Sequence, residues 1–238
     1  MLARGQMETA AEHIIPPDEQ GRLAAVMRYG VLDSPPDGAF DRITRVASLV
    51  LEMPIAIVSI VDHDRIWFKS AQGLNGVEQI DRDPGLCASA ILGDETWIVE
   101  DAKVDPRALA NPLVAGEFGL RFYAGSPLRT HDGYNLGTLC VIDKEPRELT
   151  EEQIRVLDDL AALVVDELEL RLGARLQARR ATELNDDVVQ ALTIAKMRFQ
   201  LGESGPALES LNQALVSSKR ILAELVEDAP TLRRESDG

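Results

Sequence analysis

The chain has 238 residues, 45% of them hydrophobic, and a formal net charge of -15, which supplies apolar material for a core in one or two domains. That acidic balance excludes nucleic acid and anionic membrane surfaces as expected partners, because both require a cationic face. Two cysteines, Cys87 and Cys140, are too few for a disulfide framework, and without an apolar run of about 18 residues or a signal-like N-terminus a cytoplasmic location is expected.

In chain order, residues 1–17 read as an extended or disordered tail. Glu19 to Tyr29 and Ala39 to Leu51 carry apolar residues three and four apart, as at Phe40, Ile43, Val46, Ala47 and Val50, which predicts two amphipathic helices. Pro54 to Val61 is rich in branched residues and predicts a strand; Asp62-His63-Asp64 reads as a turn and Ile66 to Ser70 as the partner strand. A lone strand is expected near Thr96 to Val99. Arg121 to Gly125 and Pro127 to Thr130 read as two extended pieces, followed by turn residues at His131-Asp132-Gly133. Leu136 to Ile142 is almost wholly apolar or small, the composition of a strand covered on both faces and therefore central. Helices around an antiparallel sheet of about six strands define an α+β domain, placed at residues 18–148.

Residues 149–228 read as helical. Thr150 to Gln153 is a capping-box pattern. Apolar positions at Leu157, Ala161, Val164 and Leu168 continue through Leu172 and Leu176, and again from Leu184 through Val188, Ala191 and Ala195 to Phe199, so one long helix is expected to about Leu201, with a bend at Gly173. Gly202 to Pro206 reads as a turn, with Pro206 at a first helical position. Leu208, Leu211, Leu215, Ser218, Leu222 and Leu225 then form a heptad stripe. A two-helix hairpin has too narrow a core to cover both seams, so a homodimeric four-helix bundle is expected, with Leu184, Val188, Leu208, Leu211, Leu215, Leu222 and Leu225 at its interface. The alternative is a hairpin packed back on its own sheet domain. Arg171, Arg175, Arg179 and Arg180 read as a solvated helix face, and residues 229–238 as a flexible tail.

Trp67, Phe68, Phe122 and Tyr123 alternate across two hairpins and offer flat apolar surface to a small-molecule ligand, with Lys69, Arg121 or Asp101 fixing its polar edges. The same residues read equally as core and rim packing. Asp101, Asp105, Arg107 and Asn111 read as loop and helix-start caps. Cys87, just after Pro84-Gly85, is a candidate reactive thiol near a helix N-terminus, or with Cys140 a small buried residue. His13, His63 and His131 have no metal-ligand spacing, so no metal site is expected, and no cofactor is read from the sequence.

Six phrases carry a family resemblance: LDSPPDGAFDRITRVA (32–47), PIAIVSIVDHDRIWFKSAQGL (54–74), CASAIL (87–92), VEDAKVDPRALANPLV (99–114), RFYAGSPL (121–128) and LGTLCVID (136–143). In this order, over about Arg22 to Leu170, the chain resembles the GAF domain found before histidine kinases and cyclic-dinucleotide enzymes in bacteria. The resemblance implies helices on one face of the sheet and a loop-closed pocket on the other, to which Cys87, Ser89 and Cys140 are assigned with the residues above. Ser89 stands where the family's CAHAI pattern has histidine, which departs from a metal or redox site. The cysteine pattern of the GAF-fold reductase for free methionine sulfoxide is not matched.

A second phrase, Leu184 to Leu192, resembles the phosphoacceptor helix of one histidine-kinase class, with Asn185 where the histidine would stand and Asp186, Asp187 and Gln190 as partner contacts. An amide lacks the basic ring nitrogen that takes a phosphoryl group, so transfer through Asn185 is excluded; these residues read alternatively as plain helix surface. Together the resemblances imply a non-enzymatic signalling protein whose GAF domain senses a ligand or redox state and shifts a dimeric bundle. Two alternatives are a degenerate kinase-like adaptor docking a two-component protein and a thiol enzyme or sensor using Cys87.

Overall fold

Branched and apolar runs pair into one antiparallel sheet in the computed structural model, which describes residues 15–74, 76–109 and 111–227. The expectations for residues 1–14 and 229–238, and for the side chains of Leu222 and Leu225, lie outside the described residues. The strands are β1 (Ile55–Val61), β2 (Arg65–Gln72), β3 (Gln79–Asp81), β4 (Trp97–Val99), β5 (Phe122–Arg129) and β6 (Asn135–Asp143), in the order β3-β2-β1-β6-β5-β4. β1 and β6 are the central pair, and every one of their residues is buried, as their unbroken apolar character requires. At Gly137 the strands come so close that a Cβ would fall 1.9 Å from the Ser59 carbonyl oxygen, so only glycine keeps this register.

The structure joins the two expected pieces at 121–130 into one strand, β5, with a register shift between Pro127 and Arg129 absorbing the proline. Missing from the sequence reading is β3, a three-residue edge strand whose polar Gln79 and Asp81 give no hydrophobic alternation.

Helices α1 (Glu19–Tyr29) and α2 (Gly38–Val50) precede the sheet, capped by Asp18 and Asp37. Of the stripe foreseen in α2, Phe40 and Ala47 are buried and Ile43 half-buried, whereas Val46 and Val50 are exposed; Thr44, outside that stripe, completes the face packed on β1, β2 and β6. Two short helices, α3 (Leu86–Ala90) and α4 (Pro112–Ala115), belong to an apolar cluster with Ile57, Phe68, Tyr123 and Cys140. Asn111 caps α4, its Oδ1 accepting from Leu113 N at 2.8 Å. Helix α5 (Glu151–Gln200) starts with the expected box: Gln153 N donates to Thr150 Oγ1 at 3.2 Å and Thr150 N donates to Gln153 Oε1 at 3.0 Å.

Two compact units divide the chain, Met1–Leu170 and Arg171–Gly238. The break expected at 148/149 marks the start of α5, yet Leu157, Ala161, Val164 and Leu168 are buried, so the first turns of α5 belong with the sheet. In the second unit α5 turns at Gly202, φ +80°, into α6 (Ser204–Glu227). Pro206 is the third rather than the first helical residue, still within the turn that needs no N–H donor. Ala195 and Ala207 are fully buried here, one on each helix, and Leu184, Val188 and Leu211 are half-buried.

A buried ionic knot fastens α1 to the β1–β2 turn. Arg22 is 2% exposed, donates to the Val61 carbonyl at 2.7 Å and grips Glu19 with two nitrogens, while Arg82 reaches Glu19 at 2.5 Å and the Asp62 carbonyl at 3.1 Å. Burial alone would raise the Glu19 pKa, but hydrogen bonds from Arg22 and Arg82 win and hold it below the usual value. A lowered folded-state pKa contributes stability above the unfolded value of 4.5 that is lost as pH falls below it. Glu19→Gln should therefore cost about 2–4 kcal/mol at pH 7, because it removes the carboxylate charge that two buried guanidiniums share, with the difference from wild type shrinking below pH 4.5 in urea titrations.

Candidate functional site

The cleft that gathers most of the chemistry lies along β2. Ser70 pairs with Val58 and Phe68 with Ser59, so Lys69 is an extra residue in β2, a bulge. Without it, alternation would put Trp67 and Lys69 on one face and Phe68 and Ser70 on the other. The bulge instead turns Ser70 toward α2, where its Oγ donates to Asp41 Oδ1 at 2.7 Å and meets Thr44 Oγ1 at 2.9 Å. Phe68 stays with the apolar cluster on the other side.

Lys69 is 5% exposed. Its ammonium donates to Ser34 Oγ and to the Pro35 carbonyl, both at 2.7 Å, and lies 5.4 Å and 5.7 Å from the ring centroids of Phe40 and Trp67. These contacts pin the α1–α2 loop over β2. Below that loop a cleft of about 500 Å³ is lined by Ser34, Trp67, Phe68 and Lys69, with Asp33, Asp41 and Glu78 as its acids. β3 covers β2 only from Arg65 to Trp67; beyond it Phe68 N donates to the Glu78 carbonyl at 2.8 Å, and Leu74, Gly76 and Val77 border the cleft.

The structure separates the other expected site residues, and this corrects their grouping. Phe122 is fully buried, and Tyr123 stands on β5, separated from β2 by β1 and β6, with its ring 5.6 Å from Trp97 in an edge-to-face contact. Gly125 makes room for that ring, since a Cβ there would sit 2.3 Å from the Tyr123 hydroxyl. Arg121 and Asp101 bind each other through two nitrogens at 2.7 and 2.6 Å, which lowers the Asp101 pKa and removes both from any shared role with Lys69. Ser89 is half-buried in α3.

Cys87 and Cys140 are free and buried, their sulfurs 3.9 Å apart. Donation by the Cys140 thiol lowers the Cys87 pKa; the same contact and burial raise that of Cys140, and burial raises that of Tyr123. Ser59 and Thr138 complete this buried polar group, their hydroxyls 3.0 Å apart. Sequence reasoning missed Ser59 and Thr138; only their position inside otherwise apolar strands marked them. His63 and His131 are exposed, and among the described residues no three His, Cys, Asp or Glu side chains cluster as metal ligands. No described helix is long and apolar enough to cross a membrane.

α5 is fixed to the sheet beside these groups. Asp158 accepts from Thr96 Oγ1 and from Ser126 Oγ, the latter at 2.8 Å, and Glu169 accepts from Tyr29 OH at 2.5 Å. Burial, then the Glu169 hydrogen bond, pushes the Tyr29 pKa up to about 12. In the second unit Asn185, Asp186, Asp187 and Gln190 are exposed on α5.

A sheet with this strand order, flanked by α1, α2 and α5, is the architecture of the GAF domains, and the chain belongs to the GAF domain family, whose sequence profile matches residues 35–168. Over 173 residues, 72% of the chain, it is 43% identical to the cyclic di-GMP phosphodiesterase PA2567 of Pseudomonas aeruginosa, and it spans 28% of that relative's length. It is similar in fold to the GAF domain of a phosphoenolpyruvate-protein phosphotransferase from Coxiella burnetii, at 20% identity and TM-score 0.49 over 72% of this chain and 99% of the other. A free methionine-R-sulfoxide reductase from Neisseria meningitidis, solved with its substrate, matches at 20% identity and TM-score 0.46 over 75% and 98%. The relative at 43% identity is an enzyme, and this overturns the expectation of a non-enzymatic signalling protein together with its adaptor and Cys87-thiol alternatives.

Replacing Lys69 by methionine keeps the aliphatic stem and removes two charged hydrogen bonds. Lys69→Met should lower stability by about 2–3 kcal/mol in urea titrations and shift the emission of Trp67 as the α1–α2 loop loosens; a Trp67→Phe version of each protein isolates that signal from Trp97.

Proposed function

We propose that this chain is the sensory GAF module of a cyclic di-GMP phosphodiesterase system, in which occupancy of the β2 cleft sets the rate of cyclic di-GMP hydrolysis. The observation that carries the reading is the 43% identity to the Pseudomonas aeruginosa phosphodiesterase across 72% of this chain. The cleft supports a small ligand with an apolar body against Trp67, Leu74 and Val77 and donor or cationic groups toward Asp33, Asp41 and Glu78. Its loop runs between α1 and α2, and α1 ends at Tyr29, which holds Glu169 of α5. A ligand that favours one arrangement of the loop therefore shifts α5 by its differential affinity for the two arrangements.

The likeness of Leu184 to Leu192 to a phosphoacceptor helix belongs to the same proposal. Asp186, Asp187 and Gln190 are exposed on that helix, with Asn185 silent in phosphotransfer. A cytoplasmic setting suits the two free thiols.

The test replaces the matching segment of the Pseudomonas phosphodiesterase with residues 15–170 of this chain and measures cyclic di-GMP hydrolysis. Retained hydrolysis that changes severalfold on Lys69→Met is expected. Hydrolysis indifferent to Lys69→Met, in a chimera that folds, contradicts the proposal.

A further inference from the structure

The second unit leaves one side of its hairpin apolar and uncovered. On α6, Ala207, Leu211, Ala214 and Ser218 are buried or half-buried and mark the face turned toward α5; Leu184, Val188, Ala191 and Ala195 mark the matching face of α5. At about 100° per residue, Leu208 and Leu215 fall roughly a quarter-turn round α6 from that face. Leu192 and Phe199, with Val189 beyond them, fall a similar way round α5. In an antiparallel pair of right-handed helices these two flanks lie on the same side. Val189, Leu192, Phe199, Leu208 and Leu215 are each between 51% and 57% exposed.

We infer that this side is the interface with a second copy of the chain, the two hairpins closing into a four-helix bundle. The hairpin's own seam fully buries only alanines among the described residues, Ala195 and Ala207, which is a thin core for two helices. The five exposed side chains present on the order of 500 Å² of apolar surface, close to the apolar share of the roughly 800 Å² that each partner buries in a stable interface. Leu208 and Leu215 are seven residues apart, the spacing that keeps one helix face against a partner. A two-fold axis makes the same face serve both copies, so no second protein is required. Asn212 and Lys219 are exposed polar residues at the rim of this side, the usual border of such an interface, and Lys196 stands between Leu192 and Val189 on the α5 flank.

Sedimentation equilibrium of the full chain from 1 to 100 µM tests this, with helix content read by circular dichroism. Wild type should sediment at twice 26.1 kDa. Leu208→Glu with Leu215→Glu should raise the dissociation constant at least a hundredfold without loss of helix, because both side chains already face water in one copy. Met197→Glu with Leu201→Glu, exposed residues on the opposite flank, should leave the dimer intact. A monomeric wild type, a dimer surviving Leu208→Glu with Leu215→Glu, or a dimer broken by the opposite-flank pair instead would each overturn the assignment.

Discussion

Lys69 enters β2 as one residue more than β1 can pair, and its ammonium reaches Ser34 and Pro35 at 2.7 Å. A buried ammonium is costly unless donors and charge are satisfied, so the α1–α2 loop is held where it can satisfy them. The same bulge brings Ser70 to Asp41 and Thr44 of α2 and leaves Phe68 in the opposite cluster. Were Lys69 instead paired in regular alternation, Ser70 would turn to the Phe68 side, and the cleft would lose its Asp41 and Thr44 support.

From that anchor the first unit is tied together by a few polar contacts on a large apolar base. Glu19, Arg22 and Arg82 fix the start of α1 to the β1–β2 turn, and Tyr29 fixes its end to Glu169. Asp158 joins α5 to Thr96 and Ser126 at the other side of the sheet. The net contribution of each contact, as distinct from the cost of removing one partner, is small beside the burial of Leu157, Val164 and Leu168, worth about 1.5–3 kcal/mol per large side chain. Their value is directional: they fix which way the loop, α1 and α5 can move. That is the property a sensory module needs, and a family of shared fold can carry many ligands on it.

Much of the fold was legible because it follows from periodicity. The stripe Leu157, Ala161, Val164, Leu168 is buried as its spacing requires, and the apolar run of β6 is central. β3 was not legible, since three polar edge residues carry no pattern. The site was half legible: Trp67, Phe68 and Lys69 could be picked out as chemistry-bearing residues, but a bulge is invisible in a sequence read by alternation. For the same reason Phe122, Tyr123, Arg121 and Asp101 were grouped with them, although β1 and β6 stand between β2 and β5. In the hairpin, the heptad leucines were read as one set, whereas the structure divides half-buried Leu184, Val188 and Leu211 from exposed Leu208 and Leu215. Alanine, not leucine, closes the hairpin, and small residues give a weaker sequence signal than large ones.

The central claim is that the cleft at Lys69 is mechanically continuous with α5 through the α1–α2 loop and Tyr29. Amide hydrogen exchange of residues 157–170, measured in wild type and Lys69→Met under conditions where both stay folded, tests it most directly. Faster exchange at the Leu168–Leu170 end of that segment, together with release of the loop at 33–36, is the predicted result. Release of the loop with α5 exchange unchanged would show that the two are uncoupled and would contradict the account.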